Sequence, residues 1–389
     1  MSHTPLISLG CGTYQIMVQT KCGTSFLCEL KDASSISYNR ILNEISTASI
    51  KVGLTGTCCD CLASVNPWQH EIAIFRDGLL VWVGPIIDIT FDMANEEATI
   101  ECRDLMTWTD HRLMEVANTD LELTGVDLAV AYDTFLHVGY DKDPWCMTWE
   151  VTNTGTPFTE EYPAFDKAGG ERWGGRYEII GDLLRVVSDA GVDYTAVGRH
   201  LWTGAASIVN PAVSGVILTD NAFQRAPTIK VAGSKMVTRQ VEAGGQGGNF
   251  GLYDDQIWID PSVIGPITPA LLTANQAQYG LLEDFRVIDE FDEVDTTVSP
   301  NALRDDAEGR ILLLNTPYVY LKEGILHPNT PLTFADNTLI PGAILAINLA
   351  TTCRPLTDAA LRLQEVKVTV DAEGGEAVAI TLSPIGRTE

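Results

Sequence analysis

Three thiols crowd into Cys58-Cys59-Asp60-Cys61, the densest set of metal-ligating side chains in the sequence. Thiolates hold zinc or iron–sulfur clusters, but adjacent cysteines cannot easily reach one tetrahedral centre. The usual spacing leaves two residues between ligands, and a fourth ligand would have to come from afar, from Cys28 or Cys102. Cysteine is also among the most buried residue types, so packing explains the cluster more simply, and no metal or other cofactor is expected. His70-Glu71-Ile72-Ala73-Ile74 begins like the zinc-protease helix, yet Ile74 stands where the second histidine is required. Gly244-Gly245-Gln246-Gly247-Gly248 has the look of a phosphate loop, but no Lys-Ser/Thr follows it, so a turn between strands is expected. The acids Glu283, Asp284, Asp289, Glu290, Asp292, Glu293 and Asp295 lack the glycine-centred loop of a calcium site. They read as a solvated face or a partner contact.

With six histidines, general bases are few. His111, His137 and His200 have no nucleophile-elbow sequence nearby, and no G-x-S-x-G occurs. Paired carboxylates for glycoside hydrolysis are invisible in a sequence, so a wall-directed hydrolase stays open as one alternative. Trp145, Trp149 and Trp173 keep a carbohydrate-binding adhesin open as another, because exposed coplanar indoles could stack on sugars. Nothing positive points to catalysis, and a non-enzymatic role is expected.

The elements that would carry these residues are mostly short strands. Tyr14, Ile16 and Val18 alternate with Gln15 and Gln19, and Ala48, Ile50 and Val52 alternate around Ser49 and Lys51. A hairpin is expected from Trp68–Phe75 through the turn Arg76-Asp77-Gly78 to Leu79–Val83, since Asp-Gly supplies the positive φ that such turns need. Strands over Ile86–Asp92 and Ala98–Arg103 follow, with Ile87, Ile89 and Phe91 on one face. Asp104 caps a helix over Leu105–Met114; further helices are expected over Asp127–Val138, Glu178–Asp189 and Pro300–Leu314. GGERWGG at 169–175 is a loop. Residues 192–242 return to short strands, and the end is Gly342–Leu349, Leu361–Val370 and Glu376–Leu382, the last two joined at Gly374-Gly375.

Bulk properties narrow the partners. The chain of 389 residues has 25 Lys+Arg against 52 Asp+Glu, a net charge of −27. Proteins that hold a duplex supply clustered cations, and no basic run exists here, so stable binding to nucleic acid or to an anionic membrane is not expected. Transient passage of DNA past an acidic wall is a different matter. No stretch reaches the roughly 18 apolar residues of a membrane span, so no membrane anchor is expected. MSHTPLISLGCG lacks a basic stretch ahead of its apolar run, so no signal peptide is expected either. Nine cysteines without framework spacing read as free thiols made in a reducing cytoplasm.

The stretch CCDCLASVNPWQHEIAIFRDGLLVWVGPIIDI, followed by ATIECRDLMTWTDHR, resembles the minor tail proteins of phages that infect actinobacteria. The positions that carry the resemblance are Trp68, His70, Glu71, Arg76, Asp77, Gly78, Trp82, Gly84, Pro85, Arg103, Asp104, Trp108 and Arg112. It is specific over residues 55–115 and looser beyond, where GVDYTAVG, TPLTFADNTLIPGAILAINL and the terminal hairpin follow in order. What it implies is the baseplate-hub fold: a mainly β chain with smaller α+β insertions and two tail-tube-like β-barrels. The expected divisions are 1–112 for the first barrel, 113–191 for an α-rich intervening domain, 192–245 for strands of the second barrel, 246–341 for an acidic insertion and 342–389 for the strands that close it. Such hubs are homotrimers at the virion tail tip, assembled in the host bacterial cytoplasm. Their partners are the distal tail ring, the tape measure protein and the spike or fibres.

Overall fold

A computed structural model describes residues 9–31, 33–54, 57–114, 121–162, 178–205, 216–244, 257–258, 269–288, 311, 314–334, 338–350 and 355–384. The loop at 169–175 with Trp173, most of the helix expected over Pro300–Leu314, the glycine run after Gly244 and the acids from Asp289 onward lie outside the described residues. The chain divides into two compact units, Met1–Thr228 with Leu321–Ile385, and Ile229–Tyr320 with Gly386–Glu389.

The alternating N-terminal sequence forms β1 (Tyr14–Thr20), β2 (Phe26–Glu29), β3 (Ala33–Ile41) and β4 (Thr47–Gly53). A short helix, α1 (Thr57–Leu62), carries the cysteine cluster, and β5 (His70–Arg76), β6 (Leu79–Asp92) and β7 (Glu97–Arg103) complete the run. The Asp-Gly turn is as expected: Asp77 and Gly78 have φ of +49° and +81°, the pair of left-handed residues that joins two twisted strands.

Three boundaries differ from the sequence reading. Trp68 precedes the strand at φ +64° instead of belonging to it. The two strands expected on either side of Gly84-Pro85 are one, β6, which changes partner there: Leu79–Pro85 lies against β5 and Ile86–Asp92 against β7. Proline has no N–H to give a central ladder, so it sits where one ladder ends and the next begins. The helix expected at Leu105–Met114 is a 3-10 helix over Leu105–His111, capped by Asp104 as foreseen.

Next come β8 (Leu121–Asp127), α2 (Leu128–Tyr140), β9 (Thr148–Val151), β10 (Pro157–Tyr162), α3 (Ile180–Asp189), β11 (Asp193–Val197), β12 (His200–Gly204) and β13 (Ile217–Thr219). Asp127 caps α2 by accepting from the Ala129 N–H, and Gly191 at φ +129° follows the end of α3. Beyond these lie β14 (Thr228–Ala232), β15 (Arg239–Gly244), β16 (Ile257–Trp258), α4 (Pro269–Tyr279), β17 (Glu283–Ile288), β18 (Tyr318–Ile325), β19 (Ile344–Leu349), β20 (Leu356–Val370) and β21 (Glu376–Ser383).

In the first unit the hydrogen-bonded order runs β21-β20-β3-β4-β7-β6-β5-β1-β2. The terminal hairpin therefore extends the N-terminal sheet: Val366 faces Arg40 and Val370 faces Ile36 across β20 and β3. Like β6, β20 is long and changes neighbour part-way, from β19 to β3. Of the strands in 192–242 that were expected to join the terminal ones, β11 and β12 instead pair with each other and with β9. β13 alone among the described strands of that region in this unit lies on the terminal set, parallel to β19. Both faces of β5 and of the Val81–Ile86 part of β6 are covered. Ile72, Ile74 and Trp82 are buried on one face, while Ala73 and Val83 on the other belong to one core with Tyr132, Phe135 and Leu136 of α2 and Leu183, Leu184 and Val187 of α3. The chain is mainly β, with large antiparallel sheets.

In the second unit β15 pairs antiparallel with β16 and parallel with β17. Glu283 and Asp284 thus belong to a strand, with Glu283 paired to Arg239 across the ladder.

The cysteines overturn one expectation. Cys22 is bonded to Cys146 and Cys28 to Cys61, with Cα–Cα separations of 5.2 and 6.2 Å. Sequence spacing hid both pairs because each joins elements that only the fold brings together. Cys59 and Cys102 keep free thiols.

Candidate functional site

The motif residues gather in the first unit around the β5–β6 hairpin, where they make three connected structural sites. At its turn, Arg76 is 1% exposed and its guanidinium grips Glu376 of β21 with two hydrogen bonds, 2.7 Å from Nε to Oε1 and 2.8 Å from Nη2 to Oε2. The Tyr14 hydroxyl and the Gly10 N–H (2.6 Å) also donate to Glu376. Burial alone would push the Glu376 carboxyl up, but the Arg76 and Tyr14 hydrogen bonds and the Arg76 charge hold it below its ordinary value. Arg76 also meets Asp77 at 3.0 Å, and Asp77 accepts from the Thr13 N–H at 3.0 Å, which anchors β1 to the turn. Beside this pair Arg40 is fully buried and, among the described residues, meets no acid; its guanidinium donates to the carbonyls of Val81 (2.7 Å from Nη2) and Leu339 (3.1 Å). Arg40 and Arg76 each lie 5.2 Å from the centre of the Phe334 ring. Burial pushes the neighbouring Tyr38 phenol up to about 12.

At the other end of β5, Glu71 is buried and accepts from Arg199, from the Cys22 N–H at 3.0 Å and from Gln19. His70 accepts from the Asn66 N–H through Nδ1 at 3.0 Å, which closes the loop ahead of the strand. Trp68 meets Trp108 edge-on at 5.2 Å and His111 at 4.5 Å. Lys21 lies 4.8 Å and Arg112 5.6 Å from the Trp108 ring, and both cations bind Asp143, at 2.6 and 2.8 Å. Stacked cations and rings of this kind each contribute about 0.5–1 kcal/mol where exposed.

The third site is the strand crossing. A Cβ on Gly84 would stand 1.8 Å from the Arg103 carbonyl oxygen, so only glycine lets β6 pass the end of β7. Pro85 faces Glu71 across the ladder, and Trp82 faces Ile74. Asp104, next in line, accepts from the Ser46 N–H at 2.6 Å and the Met106 N–H at 2.9 Å. Its burial raises the carboxyl to about 6 against those hydrogen bonds. Gly78 has open space around it and serves the turn alone. Arg103 is exposed and lines an open depression of about 510 Å³ with Asp110, Arg185 and Asp189. Arg185 in it is bound to Asp110 at 2.6 Å.

None of these arrangements presents a nucleophile beside a base. Among the described residues no three His, Cys, Asp or Glu side chains converge as a metal site would require. The indoles proposed for sugar stacking go elsewhere: Trp145 is fully buried against Tyr140, and Trp149 packs on Tyr140 and donates to Asp133 at 2.7 Å.

The geometry is that of a cross-braced framework, and its fold is similar to that of three solved structures. A tail protein from Neisseria meningitidis superimposes with a TM-score of 0.60 over 95% of this chain and 96% of its own, at 13% identity. The 43 kDa tail protein of prophage MuSo2 from Shewanella oneidensis gives 0.60 over 96% and 98%, at 11% identity. Prophage tail protein gp18 from Listeria monocytogenes gives 0.56 over 96% and 95%, at 14% identity. The chain has a phage tail-protein fold. No protein-family model matches the sequence, and no curated protein matches it either.

Within that fold, sequence reasoning found Arg76 but missed its partner. Glu376 keeps the inward phase of Val378, Ile380 and Leu382 on β21, and Arg40 keeps that of Ile36 and Tyr38 on β3. A charge in the apolar phase of a strand is the signal that could have exposed both. Asp193, which accepts from Arg362 and from Asn43 at 2.8 Å, ties β11 to β20 in the same way and was also missed. Among the described residues no helix is long and apolar enough to cross a membrane.

Proposed function

We propose that this chain is a non-enzymatic, structural hub of a long-tailed phage, of the minor-tail-protein type found in phages of actinobacteria. The observation that carries the reading is agreement of fold along nearly the whole length of tail proteins from three bacterial sources. The two long partner-changing strands, β6 and β20, support a pair of tube-like barrels, one built on the N-terminal strands and one on the terminal strands. In this reading three copies form a ring of six similar barrels at the tail tip, beneath the six-fold distal tail ring and above a three-fold spike or fibres. The ring lines the path of the tape measure protein and the genome. A net charge of −27 suits that wall, because a polyanion passing an acidic surface is repelled rather than trapped.

Cryo-electron microscopy of tail tips that carry the chain tests this. Three copies around the tail axis at the tip are expected; six copies, or a place elsewhere in the virion, would overturn it.

A further inference from the structure

We propose that the β1–β2 hairpin carries an oxidation-dependent lock, formed by Cys22–Cys146 and Cys28–Cys61, that holds the outer edge of the sheet.

Among the described strands β2 is the last in the hydrogen-bonded order and pairs with β1 alone, through Glu29, Cys28 and Phe26 with an irregularity between them. Four residues on one neighbour make a weak strand, and its side chains add little burial, since Phe26 is 60% and Leu27 36% exposed. The fold compensates at two points. Cys28 on β2 is bonded to Cys61 of α1, and Cys22, in the turn between the strands, is bonded to Cys146 in the segment after α2. The turn is held in a costly conformation, with Cys22 at φ +69°. Glu71 accepts from its N–H, and Lys21 beside it is bound to Asp143. The two bridges thus grip the turn and the strand separately, from different elements.

Both pairs have Cα–Cα separations in the range that a disulfide spans without backbone movement. Each has a reachable member, Cys146 being exposed and Cys28 half-buried. In a reducing cytoplasm the four sulfurs are thiols; outside it they close. With a small-molecule disulfide as oxidant, one protein thiolate attacks it to form a mixed disulfide and expels one small thiol. The second protein thiolate then displaces the other. Each pair gives two electrons to the oxidant, which leaves as two thiols carrying the two protons.

Peptide mapping and hydrogen exchange on the full chain, in glutathione disulfide and in dithiothreitol, test the lock without reference to assembly. The oxidised chain is expected to yield the 22–146 and 28–61 linked peptides. The amides of Phe26–Glu29 should exchange at least about thirtyfold slower than in the reduced chain, while those of β4 and β7 are unchanged. Cys28→Ser should release β2, Cys22→Ser the turn, and Cys59→Ser neither. Three results would overturn the proposal: free thiols or other pairings after oxidation, equal exchange of β2 in both states, or loss of β4 and β7 protection on reduction.

Discussion

Arg76 and Glu376 lie 300 residues apart in sequence and form a two-pronged ion pair with side chains 1% and 0% exposed. The pair bolts the turn of the β5–β6 hairpin to the first residue of the last described strand, and Tyr14 and Gly10 complete the carboxylate's shell. Its value lies less in net energy than in fixing which ends meet, since a buried charge left alone is strongly unfavourable.

Removing one partner is therefore expected to be far worse than removing both. Glu376→Ala should lower stability to urea by about 3–5 kcal/mol, because the buried Nε and Nη2 of Arg76 lose their Glu376 acceptors and, among the described acids, only the partly exposed Asp77 still faces Nη1. Arg76→Met with Glu376→Leu should recover a large part of that loss. A double variant no more stable than Glu376→Ala would contradict the account.

Acid should loosen the same bolt. Glu376 is held below its ordinary value, so its contribution is complete above the unfolded carboxyl's pKa and disappears as pH falls through the lower folded one. Urea midpoints measured from pH 5 down to 2 should fall more steeply in the parent than in the Arg76→Met/Glu376→Leu double variant.

Asp104 works in the opposite direction. Its folded carboxyl titrates near 6, above its unfolded value, so ionising it costs stability progressively between about pH 4 and 6 and fully above. The cost is of order 3 kcal/mol. Asp104→Asn removes that dependence while placing an amide N–H against the Ser46 N–H. Its stability curve should be flatter across pH 4–6 than the parent's, and a parallel curve would rule the mechanism out.

Gly84→Ala tests the strand crossing. Its Cβ would collide with the Arg103 carbonyl, a backbone atom that cannot rotate away. Overpacking costs typically ~1–3 kcal/mol, and a backbone clash belongs at or above the top of that range. Circular-dichroism melting should show a large fall in Tm, whereas Gly78→Ala, with open space but positive φ, should cost less. Ile74→Asp, a charge at a fully buried position facing Trp82, should cost several kcal/mol, and electron microscopy of the variant should show none of the proposed rings.

Elemental analysis of the purified chain should find no stoichiometric zinc or iron, since Cys61 is engaged by Cys28 and Cys59 faces solvent. About one metal ion per chain would overturn that expectation.

Local chemistry was legible in the sequence wherever it depends on near neighbours. Asp77-Gly78 announces its turn, the period-two apolar residues announce β1, β4 and β5, and Asp104 and Asp127 announce their caps, because each signal is complete within a few residues. The motif residues from Trp68 to Arg112 could likewise be picked out, though not what they bind. Only the tertiary structure decided that Arg76 answers to Glu376, Glu71 to Arg199, Arg362 to Asp193 and Cys22 to Cys146. It also made one strand of β6, where Gly84-Pro85 reads locally as a break. Pairings between distant residues leave no periodic trace, because whether a buried charge or thiol meets its partner depends on strand order, and strand order is set by the burial of whole sheet faces.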